Sequence, residues 1–247
     1  MEKILNLFNK NDKIVLAFSG GNDSFLLAYL LKNFCNLKLI FAKTPFHSER
    51  FINFAINRAK ILNFTLNFIY IKVFPEIIIR NDKNRCYYCK KLLFSEIKKK
   101  YRDQLVVDGT NFSDTFQFRP GLKALEELKI LSPFKICKIT REDIYNYYEK
   151  LNLKKFIVPS NTCLATRVKY NLKITNKILD RIDCVEKFLH ENSITLSRLR
   201  VTPDNYYIEV EKGKISYVKE KLLHHIKNML NSDKISVREY KRGVFDN

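Results

Sequence analysis

The sequence predicts an α/β fold: a parallel sheet with helices on both faces, in the manner of a parallel-sheet nucleotide-binding domain, followed by a small C-terminal α+β domain. Three observations predict it. Short apolar runs alternate with segments of helical periodicity from Lys13 to Thr110. The first of those runs ends in a Ser-Gly-Gly turn that opens directly into a helix. After Pro159 the alternation gives way to one long helix and a hairpin. A chain of 247 residues, 46% hydrophobic and 13% aromatic, has the apolar content for a sizeable core and is not globally disordered.

Taken in order, Lys13 to Phe18 (KIVLAF) has the continuous apolar character of a buried strand, and Ser24 to Phe34 carries apolar residues at helical spacing. Leu37 to Lys43 predicts the second strand, Ser48 to Leu62 a helix, and Phe64 to Lys72 the third strand. Tyr87 to Lys100 predicts a helix and Gln104 to Val107 a strand that stops at the turn Asp108-Gly109-Thr110. Beyond the expected domain division, residues 1–167 and 168–247, Thr175 to Asn192 predicts a long helix. Strands at Ser197 to Thr202 and Tyr206 to Glu211 flank the turn Pro203-Asp204-Asn205, and a helix at Ile215 to Leu230 leads to a last strand near Ile235 to Tyr240. No internal repeat or low-complexity tract interrupts the pattern.

The formal net charge is +19, from 45 Lys and Arg against 26 Asp and Glu. Such a field suits polyanions such as nucleotides, RNA or an anionic membrane surface, but a lysine-rich composition explains it equally well. No apolar run reaches membrane-spanning length, and Met1 to Lys13 is amphipathic and charged throughout, unlike a signal peptide. The expectation is a cytoplasmic protein with no membrane partner. Its six cysteines are then reduced thiols rather than three disulfides.

The turn Ser19-Gly20-Gly21-Asn22-Asp23-Ser24 between strand and helix is a ready anion site, because a helix N-terminus presents unpaired N–H groups and the positive end of its dipole. Gly20 and Gly21 tolerate positive φ and close approach to a phosphate, and Ser19 and Ser24 add hydroxyl donors. Asp23 repels phosphate, so its expected role is to hold Mg²⁺ or to orient the loop. The loop is neither G-x-x-x-x-G-K-[ST] nor G-x-G-x-x-G. It resembles instead the pyrophosphatase loop of the ATP-pyrophosphatase (PP-loop) superfamily, a resemblance that implies ATP cleavage to AMP and pyrophosphate. Two further segments end strands where nucleotides bind in open sheets: Phe41-Ala42-Lys43-Thr44, and Asp108, Thr110 and Asn111 with Asp114 beyond. Each also reads as a turn chosen for its backbone geometry.

Cys86 and Cys89 form a C-x-x-C between Arg85 and Lys90, where neighbouring cations favour thiolates. Two such sulfurs hold one metal, one face of a cluster, or a reducible dithiol. A closed zinc site needs four ligands, and no second pair follows. Cys163, in PSNTCLATR, also has an arginine close by, and three cysteines are enough to hold three irons of a 4Fe-4S cube with the fourth iron open. Cys35, Cys137 and Cys184 lack polar company and read as small packing residues.

Taken together, the stretches AFSGGNDS, NRCYYCKKLLF, VVDGTNFSD, FRPGLKALEEL, ILSPF, KITREDI, PSNTCLATR and RLRV with YYIEV resemble the LarE family, the ATP-dependent sulfur transferases of nickel-pincer nucleotide synthesis. The resemblance implies that ATP adenylates the carboxylates of a pyridinium-3,5-dicarboxylate mononucleotide and that a sulfur nucleophile displaces AMP, giving thiocarboxylates. Family members either sacrifice the cysteine matching Cys163 or use a 4Fe-4S cluster as sulfide carrier. The trio Cys86, Cys89 and Cys163 implies the cluster type, with Cys163 and Asp23 as the catalytic pair and an external sulfide donor. The same resemblance implies Arg198 and Arg200 for the substrate phosphate, Glu186 and Glu209 for a divalent metal, Arg119 and Arg167 near the adenylate, and a homo-oligomer. Ser113 departs from the family's DGTN-x-D-D pattern. A rival reading is a tRNA thiolase, which also joins such a loop to three cluster-binding cysteines and would suit the basic charge.

Overall fold

The computed structural model describes residues 2–159 and 161–241. The chain forms two compact units. One contains residues 2–44, 49–73, 86–159 and 161; the other contains 45–48, 74–85 and 162–241.

The first unit is built on the predicted parallel sheet, with strands β1 (Lys13–Ala17), β2 (Asn36–Lys43), β3 (Leu66–Tyr70) and β4 (Leu105–Val107) in the order β3-β2-β1-β4. Ile14 aligns with Leu37 on one side and Leu105 on the other, so β1 is central. Its Ile14, Val15 and Leu16 are all buried, as expected for a strand covered on both faces. The helix Asn22–Leu31 buries Phe25, Leu26, Leu27, Ala28 and Leu31 in succession, which makes it an internal helix. The helix Glu49–Ile61 is amphipathic, burying Phe51, Ile52, Ala55 and Ala59 at helical spacing. The chain runs from β1 outward to β3 and then back to β4. The reversal therefore falls between the carboxyl ends of β1 and β4, where open parallel sheets bind ligands.

Between β4 and residue 150 the structure contains elements that periodicity did not predict. A 3₁₀ turn, Phe112–Phe116, is capped by the Asn111 side chain, which accepts from Asp114 N. The helix Gly121–Glu127 follows, then Arg141–Lys150, which begins behind a full capping box of Thr140 and Asp143. That second signal was present in the sequence as T-R-E-D.

The second unit contains the predicted hairpin, β5 (Ser197–Val201) antiparallel to β6 (Tyr206–Val210), and β7 (Ile235–Glu239) lies parallel to β6. The helix Asn176–Glu191, capped by Thr175, covers β5 with Leu179, Ile182, Val185 and Leu189. The helical run from Ile215 to Leu230 includes a π turn at Val218–Leu222. Two excursions from the first half of the chain join this unit. Leu164 N donates to Phe46 O at 2.8 Å, and Ile174 N to Ile79 O at 2.9 Å. Asn81, fully buried, donates its amide to Lys169 O at 2.9 Å and Leu172 O at 3.0 Å. No helix among the described residues is long and apolar enough to cross a membrane.

Candidate active site

The loop after β1 has the form its sequence requires. Gly20 sits at φ +76, and a Cβ there would lie 2.9 Å from Ala55 Cα, so both backbone and space demand glycine. Gly21 is extended, at φ −65, and caps the Asn22–Leu31 helix without a side-chain partner. Of the two glycines able to take positive φ, Gly20 alone does so. The Ser19 and Ser24 hydroxyls lie 3.3 Å apart at the helix entrance, and Ser24 Oγ donates to Gly21 O.

The loop is held from behind by residues the sequence did not single out. Arg58 donates to Gly20 O at 3.1 Å and to Phe156 O, and stacks on the Phe25 ring at 3.7 Å. Tyr148 donates its hydroxyl to Asn22 O at 2.9 Å, and the Asn22 side chain pairs with the Val158 backbone in both directions. Burial pushes the Tyr148 hydroxyl far above its ordinary range, so it stays a neutral donor. A scaffold that fixes the loop before any ligand arrives reduces the ordering cost of binding.

Facing the loop are the residues at the end of β4. Asn111 donates to Asp23 Oδ2 at 2.7 Å. Burial, reinforced by the neighbouring Asp114 charge, raises the Asp23 carboxyl above its usual range against the opposing pull of Asn111, Arg141 and Arg119. Asp114 Oδ1 receives Arg119 at 3.0 Å and Arg141 at 3.1 Å. Asp108 accepts from Ser132 Oγ at 2.6 Å and Thr110 Oγ1 at 2.5 Å, with Lys90 Nζ 3.6 Å away. A Cβ on Gly109 would lie 2.8 Å from Ser24 N, so this turn presses directly against the helix entrance. Of the predicted residues, Ser19 to Ser24, Asp108, Thr110, Asn111 and Arg119 are thus gathered here; Thr44 is buried just beyond the end of β2. Arg141, Lys90, Arg58 and Tyr148 join the group unpredicted.

Cys86 and Cys89 lie in the first turns of the helix Arg85–Lys100, three residues apart and both half-buried. That spacing puts both sulfurs on one helix face, near the positive end of its dipole, an arrangement suited to two thiolate donors. Arg85, which flanks Cys86 in sequence, is buried and bonded to Asn81 Oδ1 and to Ala165 O at 2.9 Å. No cysteine forms a disulfide. Among the described residues no group of three or more His, Cys, Asp or Glu side chains is arranged to hold a metal ion.

In the second unit Cys163 caps the short 3₁₀ turn Leu164–Arg167 and is half-buried. Arg167 fixes this stretch. It donates to both oxygens of Glu186, at 2.9 and 3.1 Å, and to Thr162 O, Thr162 Oγ1, Cys163 O and Thr166 Oγ1. Burial pushes the Glu186 carboxyl up, but the Arg167 charge and hydrogen bond, with Arg198 and the Leu199 N–H, outweigh it and hold the group below the usual carboxylate range. Arg200 pairs with Glu209 at 2.8 Å and donates to Thr166 O, and Arg238 takes the other Glu209 oxygen at 2.8 Å. Arg198 shares the sheet face of Arg200, two residues away; burial first, then the Arg167 charge, lowers its pKa to about 10. Glu186 and Glu209, suggested for a divalent metal, are thus both ion-paired to arginines.

No protein-family model matches the chain. An uncharacterized protein of Methanocaldococcus jannaschii is 40% identical over 239 residues, 92% of each chain. The pyridinium-3,5-bisthiocarboxylic acid mononucleotide synthase of Lactiplantibacillus plantarum is 23% identical over 82% of this chain and 76% of its own length. The tRNA(Ile)-lysidine synthase of Clostridioides difficile is 27% identical over 87% of this chain and 52% of its own length. The chain belongs to the PP-loop ATPase superfamily, in one family with the Methanocaldococcus protein. As in that superfamily, the Ser19 to Ser24 loop stands at the carboxyl end of the first strand of a parallel sheet.

Proposed function

We propose that this chain is an ATP-dependent, AMP- and pyrophosphate-forming sulfurtransferase that converts the carboxylates of pyridinium-3,5-dicarboxylate mononucleotide to thiocarboxylates in nickel-pincer nucleotide synthesis. The observation that carries the reading is the Ser19 to Ser24 loop at a helix N-terminus, packed against Asp108 to Asn111, with a C-x-x-C in the same unit. The Lactiplantibacillus relative supports the substrate class by its name.

A carboxylate resists nucleophilic attack, and joining it to AMP supplies a good leaving group. In this reading the helix N-terminus and the Ser19 and Ser24 hydroxyls bind the β,γ-phosphates, and Asp23, a carboxylate already oriented by Asn111, would hold Mg²⁺. The substrate carboxylate attacks the α-phosphorus, pyrophosphate departs, and a sulfur nucleophile then displaces AMP. Arg198 and Arg200 take the substrate phosphate, and Arg167 and Glu186 position the Cys163 stretch. A divalent ion at Glu186 or Glu209 would have to displace an arginine. Cys86 and Cys89 would supply two ligands of a 4Fe-4S cluster, whose chemistry when bound is to carry sulfide from an external donor. Half-buried thiols at a helix N-terminus fit as two of its ligands.

The test is anaerobic incubation with Mg-ATP, sulfide and the pyridinium mononucleotide. The expected products are AMP, pyrophosphate and a substrate whose mass has gained by exchange of oxygen for sulfur; ATP left intact with substrate present contradicts the reading. Iron and sulfide analysis of anaerobically purified Cys86→Ala, Cys89→Ala and Cys163→Ala addresses the cluster separately. Full iron content in any of the three removes it from the account.

A second reading, a tRNA thiolase of the same superfamily, is favoured by the net charge of +19 and by the relative named tRNA(Ile)-lysidine synthase. Tight, salt-sensitive binding of bulk tRNA together with inertness toward the mononucleotide would select it.

A further inference from the structure

The two glutamates that the resemblance implies for a divalent metal do not fit one. Glu209 is 0% exposed and both of its oxygens are taken, Oε2 by Arg200 Nε at 2.8 Å and Oε1 by Arg238 Nη2 at 2.8 Å and Nε at 3.2 Å. Glu186 is closed in the same way by Arg167. A divalent ion at Glu209 would also meet a crowd of like charge. The strand register puts Arg198, Glu209 and Arg238 in one row across β5, β6 and β7, with Arg200, Tyr207 and Ser236 in the next row of the same face. Three guanidiniums against one carboxylate leave this face with an excess of positive charge, which repels a cation and attracts an anion.

Arg238 differs from the other two arginines, and it lies outside the stretches that carry the family resemblance. Arg198 and Arg200 are buried, whereas the Arg238 side chain is 38% exposed. Glu209 grips it along one edge, through Nε and Nη2, and the Tyr207 ring centroid lies 4.3 Å from its guanidinium carbon. The edge bond and the ring together fix the plane of the guanidinium. Nη1, at its far end, makes no hydrogen bond among the described residues, so its N–H donors are unspent. A fork held in this way is preorganised for a second oxyanion.

We propose that Arg238 takes the place of a divalent cation at Glu209, neutralising that carboxylate from within the chain and presenting Nη1 to the phosphate of a phosphorylated ribose. The inference rests on the substrate proposed above, whose phosphate is the anion this face receives. Arg238 acts here in binding alone. Its guanidinium stays charged throughout, so the phosphate is held with neither a metal nor a change of protonation.

The experiment measures binding of ribose 5-phosphate, of the pyridinium mononucleotide and of Mg-ATP, as separate probes, to the full-length protein and to Arg238→Met and Arg238→Lys. Ribose 5-phosphate is expected to bind the unsubstituted protein equally well in EDTA and in Mg²⁺. Arg238→Met is expected to weaken that binding about tenfold or more while Mg-ATP stays within about twofold, and Arg238→Lys to recover part of the loss. Loss of ribose 5-phosphate binding in EDTA would restore a metal to the site and overturn the inference, and so would binding that Arg238→Met leaves unchanged. Equal weakening of ribose 5-phosphate and Mg-ATP with a lowered unfolding temperature would make Arg238 a structural tether and overturn it too. If Arg238→Met does not fold, Arg238→Lys carries the comparison, with a smaller loss of the same selectivity expected. Arg238-dependent binding of ribose 5-phosphate without binding of the pyridinium mononucleotide would sink the proposed substrate and leave the anion site standing; an unsubstituted protein that does not bind ribose 5-phosphate would sink the site.

Discussion

Arg141 in the first unit and Arg167 in the second are each paired with a carboxylate, yet the Arg141 side chain makes one hydrogen bond and that of Arg167 makes six. The surroundings differ in the same sense. Lys90, Arg119 and Arg141 are 29–39% exposed, each tethered to a buried aspartate at one point. Arg167 and Glu186 are 1% and 0% exposed and satisfy one another on both sides. An exposed, singly tethered cation can exchange solvent for a ligand at little penalty. A buried, fully bonded one is part of the architecture and fixes whatever is bonded to it, here the backbone of Cys163.

The contrast breaks most visibly at Glu186. Glu186→Gln leaves Arg167 charged and uncompensated in the interior, and should lower stability by about 3–5 kcal/mol in denaturant unfolding, whereas Asp114→Asn should lower it far less. Equal effects from the two would erase the distinction. Next in size is Asp23→Asn, expected to reduce nucleotide turnover a hundredfold or more, on the order of the loss of an electrostatic group at a reacting centre. Its stability effect has the opposite sign. Because burial raises the folded-state pKa of Asp23, the ionised group lowers stability as pH rises through the interval between its unfolded and folded values, and that loss persists at neutral pH. The asparagine variant should therefore unfold at an equal or higher temperature at pH 7, measured by calorimetry. Gly20→Ala should destabilise by about 1–3 kcal/mol, since alanine meets both the positive φ and the Ala55 backbone. Smallest is Tyr148→Phe, which removes the bond to Asn22 O and should cost about 1 kcal/mol together with a weaker ATP affinity.

What the sequence disclosed follows the same division. The Ser19 to Ser24 loop was legible because strand, glycine turn and helix are contiguous and their physics is local. The β5–β6 hairpin was legible for the same reason, through its Pro-Asp-Asn turn. The pairing of Arg141 with Asp114 was not, because the two lie on different elements, although the stretch KITREDI that holds Arg141 was among those carrying the resemblance. The segments 45–48 and 74–85 read as connections within the first domain, but backbone bonds from Leu164 to Phe46 and from Ile174 to Ile79 assign them to the second unit. Arg85, next to Cys86 in sequence, read as a flanking cation, and its guanidinium also donates to Asn81 Oδ1 and to Ala165 O, a partner that adjacency does not show. Turns were legible from neighbours in sequence, whereas ion pairs between distant elements were not.

On the proposed function, the first-unit loop releases pyrophosphate, not phosphate, from ATP. Phosphorus-31 NMR of Mg-ATP incubated with the protein and the pyridinium mononucleotide reads this directly. AMP and pyrophosphate resonances growing in parallel, and only with substrate present, are the predicted result; ADP and inorganic phosphate would contradict the account.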